Sequence, residues 1–176
     1  MNLFLIGYRC TGKTTVGKAL ARRLGWSFVD TDRMIAATSG TSIARMVDEK
    51  GWTYFREQER QTLKALSADD RQVVATGGGI ILDKRNVSVM RKSGTVVLLT
   101  ASRKTIAARM LADDATEESR PSLTGQGLVR EIMSVLGERL PLYEKASDFA
   151  IDTNRKKIEA ICDRIIEQAG LKAEAG

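Results

Sequence analysis

The chain has no histidine, and it is poor in cysteine, proline and aromatic residues. Without histidine there is no Ser-His-Asp triad, no histidine-ligated zinc and no imidazole base. Any general base must come from Asp, Glu, Lys, Tyr or Cys. The two cysteines, Cys10 and Cys162, make neither a metal cluster nor a disulfide framework, and they fit a reduced, cytoplasmic setting. The two prolines, Pro121 and Pro141, mark no interdomain linker, and no repeat or low-complexity tract interrupts the chain. Aromatic residues make up 5% of the sequence, which is low for a base-stacking surface. Long apolar runs are also missing: stretches such as Val96-Val97-Leu98-Leu99 fall far short of a bilayer span. The N-terminal Met1-Asn2-Leu3-Phe4-Leu5-Ile6-Gly7 lacks a basic region and a cleavage pattern, so it reads as a strand rather than a signal peptide.

What remains is 176 residues at 43% hydrophobic content, enough for one domain with a packed core. Lys and Arg number 28 against 22 Asp and Glu, a formal charge of +6. That surplus suits either nucleic acid or small anionic substrates. Basic residues are spread along every predicted helix without interleaved aromatics, which favours small anions. A monomer with no nucleic-acid or membrane partner is the expectation.

Short apolar segments rich in β-branched residues alternate with helical patterns. Leu3–Ile6, Ser27–Asp30, Val73–Thr76, Thr95–Thr100 and Phe149–Ile151 read as strands of a parallel sheet buried on both faces. Between them, Val16, Leu20 and Leu24 recur at helical spacing, as do Ile106 with Met110 and Ile158 with Cys162 and Ile165. The alternation predicts a doubly wound α/β domain with ligands at the carboxyl ends of the strands. The stretch Ala112–Gly125 is polar, carries Arg120-Pro121 and has no apolar stripe, so it reads as a lid-like loop.

Gly7-Tyr8-Arg9-Cys10-Thr11-Gly12-Lys13-Thr14 matches the phosphate-loop pattern G-x-x-x-x-G-K-[ST] between a predicted strand and a predicted helix. Backbone N–H groups and the helix N-terminus cradle phosphate. Gly12 admits close approach, Lys13 reaches the β/γ oxygens and Thr14 ligates Mg²⁺. Asp30 and Asp32 lie two residues apart after the second strand, where an extended backbone points both carboxylates the same way. One suits a magnesium hydration shell, and Asp32 is the leading base; the same segment also reads as a helix cap. Gly77-Gly78-Gly79 end the third strand and let a ligand lie against the backbone. Arg56, Arg109, Arg120 and Arg139 sit where a planar guanidinium can bind carboxylate or phosphate.

Together these residues resemble the shikimate kinase family. The likeness runs from Leu3 to about Ile165. It rests on the phosphate loop, Phe28-Val29-Asp30-Thr31-Asp32, Phe55-Arg56-Glu57, Ala75-Thr76-Gly77-Gly78-Gly79, Arg120-Pro121-Ser122-Leu123 and Arg139-x-Pro141-Leu142-Tyr143-Glu144. The resemblance implies a P-loop kinase fold, a five-stranded parallel sheet in three α/β/α layers, as one domain over residues 1–176 with a lid at about 112–125. It implies transfer of the ATP γ-phosphoryl group to the 3-hydroxyl of shikimate in the chorismate pathway. By the same analogy, Asp32 binds the acceptor hydroxyls, Arg56 and Arg139 grip the carboxylate, and Gly77, Gly78 and Gly79 line the acceptor. Gly7, Cys10, Thr11, Gly12, Lys13, Thr14 and Thr15 hold the phosphates. Lys13 and Arg120 neutralise the transferring group. Arg109 and Asp152-Thr153-Asn154, Thr153 above all, lie on the adenine side. Thr14 meets Mg²⁺ directly and Asp30 meets it through water. Cys10 and Thr11 depart from the family's small residues, Val47 from a frequent aromatic, Trp52 from a common Glu and Ser122 from Leu. A gluconate or nucleoside-phosphate kinase on the same scaffold is the rival reading, and a basic nucleic-acid-binding P-loop protein the second. A GTPase is disfavoured because no N-K-x-D motif occurs.

Overall fold

The structure is a computed structural model that describes residues 1–112 and 128–173. Five strands form one parallel sheet: β1 (Asn2–Ile6), β2 (Ser27–Asp30), β3 (Gln72–Ala75), β4 (Gly94–Thr100) and β5 (Phe149–Asp152). Their order is β2-β3-β1-β4-β5. The register pairs Leu3 with Val73 on one side of β1 and with Thr95 on the other. The helices are α1 (Lys13–Leu24), α2 (Thr31–Ser39), α3 (Ile43–Leu66), α4 (Lys84–Ser93), α5 (Arg103–Leu111), α6 (Leu128–Ala146) and α7 (Ile158–Gln168). A short 3₁₀ turn covers Ile80–Leu82. Gly51, at φ 81° and ψ 167°, breaks α3 into two helical halves.

Alternation along the strands builds two cores, one on each face of the sheet. Phe4, Ile6, Val74, Val96 and Leu98 pack with residues of α3 to α6, such as Leu63, Met90, Ile106 and Tyr143. Leu3, Leu5, Val73, Val97 and Leu99 pack with α1 and α7 through Leu20, Ile161 and Ile165. This is the expected three-layer arrangement. A third, smaller cluster joins α2 to α3 through Ile35, Ile43, Met46 and Phe55.

The expected strands appear with ends shifted by about a residue. Burial on both faces holds for β1 and β3 and the middle of β4, but not for the two edge strands: every residue of β2 is only partly buried or exposed, and in β5 only Ile151 is buried. Of the expected lid at 112–125, all but Ala112 lies outside the described residues, and Arg120 with it. Among the described residues, no helix is long and apolar enough to cross a membrane.

Parallel pairing puts all five carboxyl ends on one rim. The phosphate loop follows β1, Asp30 ends β2 and the glycine run follows β3, so the topology alone gathers these segments.

Candidate active site

A cleft of about 390 Å³ opens along that rim. At the phosphate-loop end, Gly12 adopts φ 100° and serves as the N-cap of α1 with no side-chain cap bond, so no capping side chain stands over the helix N-terminus. The Lys13 ammonium donates to the carbonyls of Gly7 at 2.9 Å and Tyr8 at 2.8 Å. The two departures in this loop have a local account. Cys10 takes the left-handed region at φ 59°, and the Thr11 hydroxyl closes the turn by donating to the Tyr8 carbonyl at 2.9 Å.

Thr14 Oγ1 donates to Asp30 Oδ2 at 2.8 Å, while Asp30 Oδ1 accepts from the Arg33 N–H at 3.3 Å. Asp30 is therefore both the cap of α2 and the partner of the phosphate loop. The expected extended pair is corrected here: Asp30 is extended, but Thr31 and Asp32 already belong to the first turn of α2. Helix geometry, not strand geometry, turns Asp32 into the cleft. Thr31, between the two aspartates in sequence, is buried, and its hydroxyl accepts the Gly77 N–H at 3.0 Å.

Further along the cleft, the glycine run makes room for neighbouring side chains. A Cβ on Gly77 would lie 2.6 Å from both Asp32 Oδ1 and Glu59 Oε1, and one on Gly79 would strike the Arg56 guanidinium. Arg56 donates to Glu59 Oε2, whose side chain is fully buried. Burial lifts the Glu59 carboxyl to about 7, against the pull of Arg56 and Arg139 and with a further push from Asp32. Arg139 reaches the Gly78 carbonyl at 3.4 Å, and the Tyr143 hydroxyl donates to the same oxygen. Desolvation lifts the Tyr143 phenol to about 12, so it remains a donor at neutral pH. Trp52 lines the cleft with its ring 5.1 Å from the Arg56 Cζ, whereas Val47 packs into the α2–α3 cluster away from the cleft lining.

At the opposite end, Arg109 donates to the Cys10 carbonyl at 3.1 Å and to Thr153 Oγ1 at 3.2 Å. Thr153 Oγ1 also lies 3.0 Å from the carbonyls of Thr11 and Thr100. Arg109 and Thr153 therefore clamp the phosphate loop to the sheet while lining the cleft.

Of the residues expected at the site, Cys10 to Thr15, Asp30, Asp32, Arg56, Gly77 to Gly79, Arg109, Arg139 and Thr153 line this one cleft. Gly7 lies beneath it, under the Lys13 ammonium. Sequence reasoning missed Glu59, Tyr143 as a hydrogen-bond donor, Arg9 and Lys156, which all sit in or against the cleft. Glu57, part of the quoted Phe55-Arg56-Glu57 motif, instead pairs with Arg60 and Gln61 away from the cleft.

Fold and cleft together define a P-loop phosphotransferase, with the phosphate loop at one end of the cleft and Arg56 and Arg139 at the other. A family model described as shikimate kinase matches residues 9–170. The chain is 43% identical over 175 residues to a shikimate kinase of Syntrophus aciditrophicus (strain SB), covering 95% of this chain and 90% of that protein. It is 46% identical over 145 residues to a shikimate kinase of Nitratidesulfovibrio vulgaris, covering 82% of each. The structure matches that of shikimate kinase from Acinetobacter baumannii in complex with shikimate with a TM-score of 0.88 at 30% identity, covering 95% of this chain and 91% of that one. The chain belongs to the shikimate kinase family. Its activity is ATP-dependent phosphoryl transfer to an alcohol acceptor, in the shikimate pathway.

Proposed function

We propose that the cleft binds ATP along the phosphate loop and shikimate between α2, α3, α6 and the glycine run, and transfers the γ-phosphoryl group to the 3-hydroxyl. The observation that carries this reading is the convergence of Asp32, Arg56 and Arg139 on Gly77–Gly79 within the same cleft as Lys13. A small hydroxylated carboxylate asks for this set: two guanidiniums for the carboxylate and one carboxylate for a hydroxyl.

In this reading, ATP draws Lys13 from the Gly7 and Tyr8 carbonyls onto phosphate oxygens, and the N-terminus of α1 holds the β-phosphate. Asp32 orients the attacking hydroxyl and accepts its proton as the phosphoryl group moves. Arg56 and Arg139 fix the acceptor so that this hydroxyl stays in line, which is the main contribution a protein makes to this chemistry. Tyr143 holds the Gly78 carbonyl, so the glycine run keeps its shape when Arg139 turns to the substrate.

The hydroxyl of Thr14 and the carboxylate of Asp30, 2.8 Å apart beside the phosphate loop, are oxygen donors suited to Mg²⁺, with Asp30 acting through water. The ion supplies charge neutralisation on the β- and γ-phosphates when bound.

The test is ADP release across a panel of acceptors: shikimate, gluconate and a nucleoside monophosphate. Release with shikimate alone is expected. Release with the sugar acid or the nucleotide and none with shikimate would overturn the acceptor assignment.

A further inference from the structure

We propose that shikimate binding draws a proton from solvent onto the buried carboxyl of Glu59, so that substrate capture and protonation are coupled. This rests on the preceding reading, in which Arg56 and Arg139 hold the substrate carboxylate.

Glu59 lies on α3, three residues after Arg56, and its side chain is fully buried. One carboxylate oxygen accepts from Arg56. The other, Oε1, is buried with no hydrogen-bond partner among the described residues. Among the described residues, three charged groups face Glu59: Arg56 from its own helix, Asp32 from α2 across the α-carbon of Gly77, and Arg139 from α6. Two guanidiniums thus face two carboxylates.

Shikimate brings a third carboxylate to the same two guanidiniums. A buried anion that must share its counter-ion is costly, and the group relieves that cost by taking a proton. Asp32 faces the substrate hydroxyl and is half-buried, whereas Glu59 has no solvent to fall back on. The Glu59 carboxyl already exchanges its proton near pH 7. Drawing Arg56 toward the substrate removes part of what holds it ionised. The balance is simple: one proton leaves water or buffer and bonds to a Glu59 oxygen, and no bond of the substrate changes. Shikimate affinity therefore weakens as pH rises above neutrality.

Calorimetric titration of the protein with shikimate at pH 8, in buffers of different ionisation enthalpy, reads the protons exchanged. The wild-type protein is expected to take up roughly half a proton or more per shikimate bound. In Glu59→Gln that uptake is expected to disappear. Binding without proton uptake in the wild type, or the same uptake in Glu59→Gln, overturns the inference and leaves the site reading intact. Absence of shikimate binding overturns both. If Glu59→Gln fails to bind, infrared difference spectra of wild-type protein labelled with ¹³C at its glutamate carboxyls decide. A protonated-carboxyl band that appears with shikimate and shifts with the label supports Glu59, and an absent or unshifted band overturns it.

Discussion

The Thr14 hydroxyl donates to Asp30 Oδ2 at 2.8 Å, tying the first turn of α1 to the end of β2. The bond sets two oxygen donors side by side next to the phosphate loop. Thr14→Val keeps the volume and removes the hydroxyl. It is expected to lower kcat/KM for ATP by about 10- to 100-fold, the scale of a hydrogen bond to a charged group. It is also expected to raise the Mg²⁺ concentration needed for half-maximal activity. Steady-state rates over a magnesium titration check both.

Asp32→Asn retains the size and the hydrogen-bonding reach of the side chain but loses the basic carboxylate. Turnover is expected to fall by about 10²- to 10⁴-fold, the range of general base catalysis, while ATP binding survives. Nucleotide titration beside the kinetic assay separates the two effects. Near-normal turnover would remove Asp32 from the chemistry.

Arg56→Lys and Arg139→Lys keep the charge and lose the planar fork. Each is expected to weaken shikimate binding by about 1.5–3 kcal/mol and to leave the KM for ATP close to the wild-type value. Unchanged KM for shikimate in both variants would place its carboxylate elsewhere.

Gly79→Ala puts a methyl group where the Arg56 guanidinium lies. Arg56 must then move, although nothing about the arginine itself has changed. The expected outcome is a raised KM for shikimate resembling that of Arg56→Lys, with the nucleotide end unaffected. Kinetics of the single and double variants test this, because the two losses should overlap rather than add.

Glu59 also leaves a mark on stability. Its carboxyl is raised from 4.5 to about 7 in the folded protein, so the native state holds this proton more tightly than the unfolded chain does. The stability this gives is complete below about pH 4.5 and is lost as pH rises toward 7. In Glu59→Gln, the fall in unfolding free energy between pH 5 and pH 8 is expected to shrink by about 2 kcal/mol. Urea unfolding at the two pH values measures it.

The phosphate loop was legible because its spacing and flanking elements are local, and β1 was legible because Leu3 to Ile6 are apolar without interruption. The relation of Asp30 to Asp32 was only half legible. The strand end is legible, but α2 starts at Thr31, two residues sooner than an extended Asp30-Thr31-Asp32 allows, since Asp30 caps its own helix. Glu59 was invisible. A glutamate on a charged helix reads as a solvated side chain, and only the fold brings Gly77, Asp32 and Arg139 around it. Tyr143 belongs to the Arg139-x-Pro141-Leu142-Tyr143-Glu144 motif, yet its hydrogen bond spans 65 positions of sequence to Gly78, beyond the reach of any local pattern.

ADP formation from ATP and Mg²⁺ by the purified chain, followed with and without shikimate, is the most direct measurement. Rapid ADP formation that requires shikimate is predicted, together with a product that phosphorus NMR shows to be esterified at the 3-hydroxyl. ADP formation at the same slow rate in the presence and absence of shikimate would contradict it.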